Sequence, residues 1–157
     1  MSDGGAAPPD DTFADQAFAV AADAYARSTS DSWERAVHAA IARLFGFLAE
    51  RPLETRTCVV RDCGAGPRAL GQRDRAIDRF AQLLQPGFAA AATPPPPVVA
   101  EAITGGIYEL VRSHVLERRL GELPDAVPDA TIVALAPFLG TAGAIDLVDS
   151  TKLQTGH

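Results

Sequence analysis

The stretch VVAEAITGGIYELVRSHVLERRL, residues 98–120, decides the fold that we expect for this chain. Four prolines, Pro94–Pro97, stop whatever precedes it, and the last proline suits a first helical turn, where its missing N–H costs nothing. At a period of 3.6 residues, one apolar stripe consists of Val99, Ile103, Gly106 and Leu110. A second stripe beside it consists of Ile107, Val111 and Val115. Because this arc is wider than a single-sided surface helix needs, it predicts a helix with two neighbours.

The interior pair Gly105–Gly106 is a second indication that this helix has a close neighbour. Each glycine inside a helix costs roughly 1 kcal/mol relative to alanine. A close approach by another helix or by a ligand explains the pair, and the alternative is a helix with two poor residues. The segment from Pro128 to Gly140 has almost no polar face. We expect these two helices to meet the same two helices of a second subunit and to form a four-helix dimer interface. The interface residues that we predict are Ile103, Gly106, Leu110, Ile132, Leu135 and Phe138.

The length and composition of the chain argue against several classes of protein. A length of 157 residues is that of one domain with its own core. The 14 Lys and Arg are outnumbered by 20 Asp and Glu, which argues against a nucleic-acid surface. No run of 18 apolar residues and no secretory signal are present, so we expect a cytoplasmic protein without a membrane span. Cys58 and Cys63 have no metal-ligand spacing, and we expect reduced thiols and no metal site.

Helix signals account for the rest of the chain. Residues 1–11 are acidic and rich in Pro and Gly, which predicts disorder, and residues 141–157 are expected to form a poorly ordered tail. Asp31 is the predicted cap of the second helix, with Glu34 completing a capping box. The helices predicted before the prolines cover residues 12–27, 31–50, 52–63 and 67–85, followed by a linker over 88–97. No segment has strand alternation, so the chain is predicted to be all-α.

The residues give no sign of an enzyme or of a cofactor. The three histidines lie on different elements, and no catalytic or phosphate-binding motif is present. Aromatic side chains on the inner helix faces are instead candidates for an apolar binding pocket, although aromatics at helical spacing are more often core. The candidate ligand-binding residues are Trp33, Phe45, Phe80 and Tyr108, and Tyr108 is the best candidate with a polar tip because its helix should bridge the pocket and the interface.

Four segments carry a resemblance to a known family: SWERAVHAAIARLFGFLAERP, GAGPRALGQRDRAIDRFAQLL, VAEAITGGIYELV and GELPDAVPDATIVALAPFLG. Together they resemble the C-terminal effector domain of TetR-type bacterial transcriptional regulators, in the branch common in high-GC actinobacteria. The resemblance covers about residues 12–140. It implies a helical bundle in which two C-terminal helices form a homodimer interface. It also implies that the preceding helices enclose an apolar cavity, in which a small effector changes the spacing of two DNA-binding heads.

The sequence departs from this family at its N-terminal end. The helix-turn-helix head of a TetR-type repressor should occupy about fifty residues before residue 12, and only eleven are present. We therefore expect DNA contact only through a head that is missing from this chain. The function that we predict is an effector-binding and dimerisation domain that senses a small apolar molecule. The alternative is a headless dimerisation or interaction module without a ligand, which pairs with another regulator.

Overall fold

A computed structural model of the chain describes residues 9–62 and 67–155, with side chains described over 13–61 and 70–154. Every regular element in these two ranges is helical, which confirms the all-α prediction. The helices are α1 (Pro9–Ser28), α2 (Trp33–Glu50), α3 (Pro52–Asp62), α4 (Pro67–Ala81), α5 (Gln85–Ala90), α6 (Val99–Leu116) and α7 (Val127–Thr155). Short 3₁₀ segments, Gln82–Leu84 and Leu120–Ala126, precede α5 and α7.

Helix α2 is the centre of the bundle. It packs along α1 on one side and against α7 and the 3₁₀ segment Leu120–Ala126 on the other, while α4 pairs with α6. Its apolar face buries Val37, Ile41 and Phe45, and Phe45 has no exposed surface at all. A helix with apolar residues on two sides needs neighbours on both of them. Helix α2 therefore joins the two halves of the core.

Two local predictions about helix boundaries are wrong. Helix α2 is capped by Ser32, whose hydroxyl oxygen accepts from the backbone N–H of Arg35 at 3.1 Å. Ser32 takes this role instead of Asp31 because its backbone is extended, as a capping residue requires. Helix α4 ends at Ala81 rather than near residue 85, and the expected linker begins as α5, which runs to Ala90.

The predicted poorly ordered tail is helical as far as the structure describes it. Residues 141–155 form the second part of α7, with Ala144 and Val148, one turn apart, both buried. Arg35 Nη1 donates to Gln154 Oε1 at 2.8 Å and ties this end of α7 to α2. The bend in α7 falls at Gly140, which has a φ of 78°, a left-handed value that glycine tolerates without strain. Of the N-terminal segment predicted to be disordered, residues 9–11 belong to α1 and residues 1–8 lie outside the described ranges.

One helical stretch, Leu120–Gln154, is long and apolar enough to cross a membrane by length and composition. The core helix of a soluble protein meets the same criterion. Leu123, Ala134 and Leu135 of this stretch are completely buried inside the protein. The stretch is therefore weak evidence for a membrane span.

Candidate functional site

A cavity of about 150 Å³ lies among α1, α2, α3, α4 and α6. Its wall is almost wholly apolar and is partly open to solvent. The lining residues are Phe13, Ala14, Ala17, Ala21, Val37, Ala40, Ile41, Leu44, Leu48, Thr55, Cys58, Val59, Ala76, Ile77, Phe80, Leu83, Leu84, Thr104, Ile107, Tyr108, Val111 and Ala134. A dry cavity of similar volume and lining in another protein binds benzene. The space is therefore of a size for a small, mainly apolar molecule.

Small side chains create this space. Ala14, Ala17 and Ala21 of α1 recur at helical spacing and face the cavity, and Ala40 of α2 faces it from another wall. Protein interiors are otherwise close-packed, with few voids larger than a water molecule. Where several methyl groups meet instead of larger side chains, the facing helices leave a gap.

The two threonine hydroxyl groups in the wall donate hydrogen bonds within the protein. Thr55 Oγ1 donates to the carbonyl oxygen of Leu48, and Thr104 Oγ1 donates to that of Ala100, each at 2.9 Å. Both threonines are buried. Because their protons are already used, these two residues present mainly methyl groups and oxygen lone pairs to the cavity.

Tyr108 and Arg73 mark the polar edge of the cavity. Tyr108 lines the space, and the guanidinium carbon of Arg73 lies 5.3 Å from the centre of its ring, within the range of a cation–π contact. Arg73 Nη2 also lies 3.6 Å from Glu109 Oε1. Arg73 is not itself a lining residue, and it meets the wall through the ring of Tyr108.

The structure brings two of the four predicted ligand-binding residues to the cavity, Phe80 and Tyr108. Phe45 is fully buried in the core and does not line the space. Trp33 lies at the corner between α2, α5 and α7, where its Nε1–H donates to the Leu83 carbonyl at 3.0 Å. Its ring meets that of Phe138 edge to face, with centroids 5.2 Å apart. Trp33 thus has a structural contact in place of the predicted ligand contact.

We did not predict from the sequence that α1 and α3 form walls of the cavity. The prediction placed the pocket among the helices that carry the aromatic candidates. The signal that could have found the α1 wall is its run of alanines at helical spacing, which indicates a close or unfilled neighbour. No comparable signal marks α3, because Thr55, Cys58 and Val59 differ in size and polarity.

The predicted dimer-interface residues divide into two groups. Ile103, Leu135 and Phe138 are buried in the chain's own core, which covers much of the apolar arcs of α6 and α7. Their assignment to a dimer interface stays a prediction. Gly106 is exposed, while Leu110 and Ile132 are half-buried. Large exposed apolar residues on the same two helices and just before α6 are Val98, Leu116, Val133, Ile145 and Leu153.

The Gly105–Gly106 pair faces open space. A Cβ added at either glycine would meet no atom within 4 Å beyond its own helix. No described residue of the protomer therefore makes the close approach that the pair predicts.

Two histidines have partners within the bundle. His114 Nδ1 lies 2.8 Å from the carbonyl oxygen of Leu110 on its own helix and donates to it. His38 Nδ1 lies 3.2 Å from Thr131 Oγ1. Burial, and secondly the charge of Arg35, lower the pKa of His38 below its ordinary value. Within the described part of the chain, no group of three or more His, Cys, Asp or Glu residues could hold a metal ion. The predicted pair Cys58 and Cys63 cannot be compared, since Cys63 lies outside that part.

No protein-family model, curated protein or solved structure matches this chain. The resemblance to TetR-type effector domains therefore stays a prediction from the sequence segments that suggest it.

Proposed function

We propose that this chain is a sensor module that binds a small, mainly apolar molecule in the cavity among α1, α2, α3, α4 and α6. The observation that carries the proposal is the almost wholly apolar lining of a cavity of about 150 Å³. Small-molecule sites are typically concave and apolar, with a few placed polar groups, and here Tyr108 and Arg73 supply such groups at the edge. A solid core would have favoured a module without a ligand.

The affinity expected for a ligand of this size is modest. A molecule that fills about 150 Å³ has roughly six to ten non-hydrogen atoms, since benzene, which has six, is bound by a cavity of this size. Dissociation constants between about 10 µM and 1 mM correspond to about −7 to −4 kcal/mol, which such a ligand reaches without exceptional contacts. A sensor that responds to a metabolite at these concentrations needs no tighter binding.

The wider role follows the resemblance to TetR-type regulators. We propose that the module acts in a transcriptional repressor as its effector-binding and dimerisation part. DNA contact would belong to a helix-turn-helix segment outside these 157 residues. The protein would be cytoplasmic and would not be an enzyme.

A homodimer through α6 and α7 is part of the proposal. The surface that we assign to it contains Gly106, Leu110 and Ile132, joined by the exposed Leu116 and Val133. A stable homodimer interface of this kind would bury on the order of 2,000 Å². The open space at Gly106 suits close approach by a helix of the second copy.

The second candidate function is an interaction module that pairs with another regulator without any ligand. The exposed apolar residues Leu116 and Val133 favour it as much as they favour a homodimer. The two functions differ in the cavity, which the interaction module would not use.

Blocking the cavity tests the sensor proposal. Thermal unfolding of the wild-type chain is measured with and without benzamide and hexanamide, neutral probes with apolar bodies of suitable size. At ten times the dissociation constant, binding to the folded state alone adds about 1.4 kcal/mol of stability. For a domain of this size this amounts to a rise in Tm of about 3–6 °C.

The blocking variants are Ala17→Leu and Ala40→Leu, which add three carbons each to the walls that α1 and α2 form. Each should abolish the probe-induced rise in Tm. Ala26→Leu makes the same change at an exposed position of α1 and should leave the rise unchanged. If neither these amides nor benzoate and hexanoate, the carboxylates with the same apolar bodies, raise the Tm of the wild type, or if the blocking variants respond as fully as Ala26→Leu does, the sensor function fails and the interaction module stands.

A further inference from the structure

The cavity-facing stripe of α4 continues beyond the apolar wall to a basic residue. Ala76, Ile77 and Phe80 line the cavity from α4, and Arg73 lies three, four and seven residues before them. Residues at these spacings share one face of a helix. The guanidinium of Arg73 accordingly lies over the ring of Tyr108, which itself lines the cavity. A positive charge therefore lies against a lining residue of an otherwise apolar space, although Arg73 does not line the space itself.

The hydrogen-bonding capacity of this guanidinium is incompletely used. The Nε atom of Arg73 is buried and has no hydrogen-bond acceptor among the described residues. Its contact with Glu109, between Nη2 and Oε1, is 3.6 Å long, beyond the range of a hydrogen bond. The other oxygen of Glu109, Oε2, is 3.3 Å from Arg112 Nη1 and accepts from it. A buried donor without an acceptor is costly, and such groups in folded proteins call for an explanation.

We infer that the ligand of this cavity is a small monocarboxylate, whose apolar body fills the cavity and whose carboxylate binds Arg73. The inference rests on the sensor function proposed above and names its ligand class. A carboxylate matches the planar fork of a guanidinium and can accept two parallel hydrogen bonds, one of them from Nε. A neutral amide offers a single acceptor oxygen and no charge. The site would therefore discriminate between the two.

The nearest acidic group, Glu109, divides its carboxylate between Arg73 and Arg112 and leaves the Nε atom of Arg73 without an acceptor, and the other acidic residues lie further away or in solvent. A groove between α4 and α6 carries Asp74, Asp78 and Glu101. Glu101 lies seven residues from Tyr108 on α6, which is about 10 Å along the helix axis. That distance is about one Debye length at physiological salt, so the repulsion is largely screened in solvent. Asp74, although next to Arg73 in sequence, is exposed.

Matched pairs of neutral and anionic probes test the inference. Isothermal titration of the full chain at pH 7 and about 0.15 M salt compares benzoate with benzamide, and hexanoate with hexanamide. The members of each pair have the same apolar body. In the wild type, each carboxylate should bind at least ten times more tightly than its amide.

Three variants assign the preference to Arg73. In Arg73→Gln, the ratio of amide to carboxylate dissociation constants should fall to within twofold of one. Because this ratio is internal to each variant, a general loss of stability does not mimic the effect. Arg73→Lys keeps the charge but loses the fork, and should retain a ratio above three. Arg75→Gln, at an exposed residue whose Nε donates to the Gly71 carbonyl of its own helix, should keep the wild-type ratio.

Each outcome bears on one proposal or both. Amides that bind the wild type as tightly as the carboxylates overturn the ligand class but leave the sensor function standing. A carboxylate preference that survives Arg73→Gln overturns the assignment to this arginine. If none of the four compounds binds the wild type, the sensor function and the ligand class fall together.

Discussion

Replacing Gly87 with alanine should destabilise the protein, because the corner that holds α5 has no room for a methyl group. Gly87 is buried beneath the indole of Trp33. A Cβ at this position would lie 2.7 Å from Trp33 Cζ2 and 2.9 Å from Phe138 Cδ1, and closer still to Trp33 Cη2. Ordinary contacts of a Cβ begin near 3.4 Å. The indole would have to move, and its hydrogen bond to the Leu83 carbonyl opposes that movement.

The magnitude follows from three contributions. Forcing an extra methyl group into a packed site costs about 1–3 kcal/mol. Loss or distortion of the hydrogen bond from Trp33 Nε1 costs about 1 kcal/mol more. Alanine is better than glycine inside a helix, which offsets about 0.5–1 kcal/mol. We therefore expect the free energy of unfolding to fall by about 1–3 kcal/mol in total.

Urea unfolding, followed by tryptophan fluorescence and circular dichroism, measures this change. Gly46→Ala is the matched control, since Gly46 lies inside α2 and an added Cβ there meets nothing within 4 Å. This control should be more stable than the wild type by about 0.5–1 kcal/mol. If Gly87→Ala were as stabilising as Gly46→Ala, the close packing of Trp33 on α5 would be refuted, and with it the structural role that replaces its predicted ligand contact.

Other predictions concern His38 and α7. Because the folded state lowers the pKa of His38, the unfolded chain takes up a proton first as the pH falls below the ordinary value of 6.5. The free energy of unfolding, measured with urea, should therefore be lower at pH 5.5 than at pH 7.5. The decrease should be smaller in His38→Gln. Leu135→Ala, at a fully buried position, should lower the free energy of unfolding by about 2–5 kcal/mol. Val133→Ala, at a side chain that is 55% exposed, should change it by less than about 0.5 kcal/mol in the monomer. Val133→Asp should convert the proposed homodimer to folded monomers in light scattering, and a wild type that is itself monomeric at micromolar concentration would contradict that dimer.

The fold was predictable where apolar residues recur at helical spacing between clear breakers. Helix α6 has both signals, and Ile103, Val111 and Val115 of its two predicted stripes are buried, whereas Gly106 is exposed. The helix beyond Gly140 was missed because its stripe consists of Ala144 and Val148 among small and polar residues. Such a stripe is too weak to predict a helix alone, and its burial depends on neighbours distant in sequence.

The site was less predictable than the fold for a related reason. Periodicity indicates that Phe45 and Phe80 face inward, but it does not indicate whether the inward face meets a filled core or a void. The void is produced by small residues on α1, such as Ala17, rather than by the aromatic candidates. The position of Arg73 over Tyr108 depends on how α4 pairs with α6, which no local pattern specifies.

The central claim is that the cavity itself holds the ligand, and intermolecular nuclear Overhauser effects (NOEs) test it most directly. The wild-type chain, with labelled methyl groups, is saturated with benzamide. We predict NOEs from the probe to the methyl groups of Ala17, Ile41 and Ile77, which line the cavity on three different helices. NOEs confined to exposed residues such as Val133 and Leu153, or none at saturation, would contradict the claim.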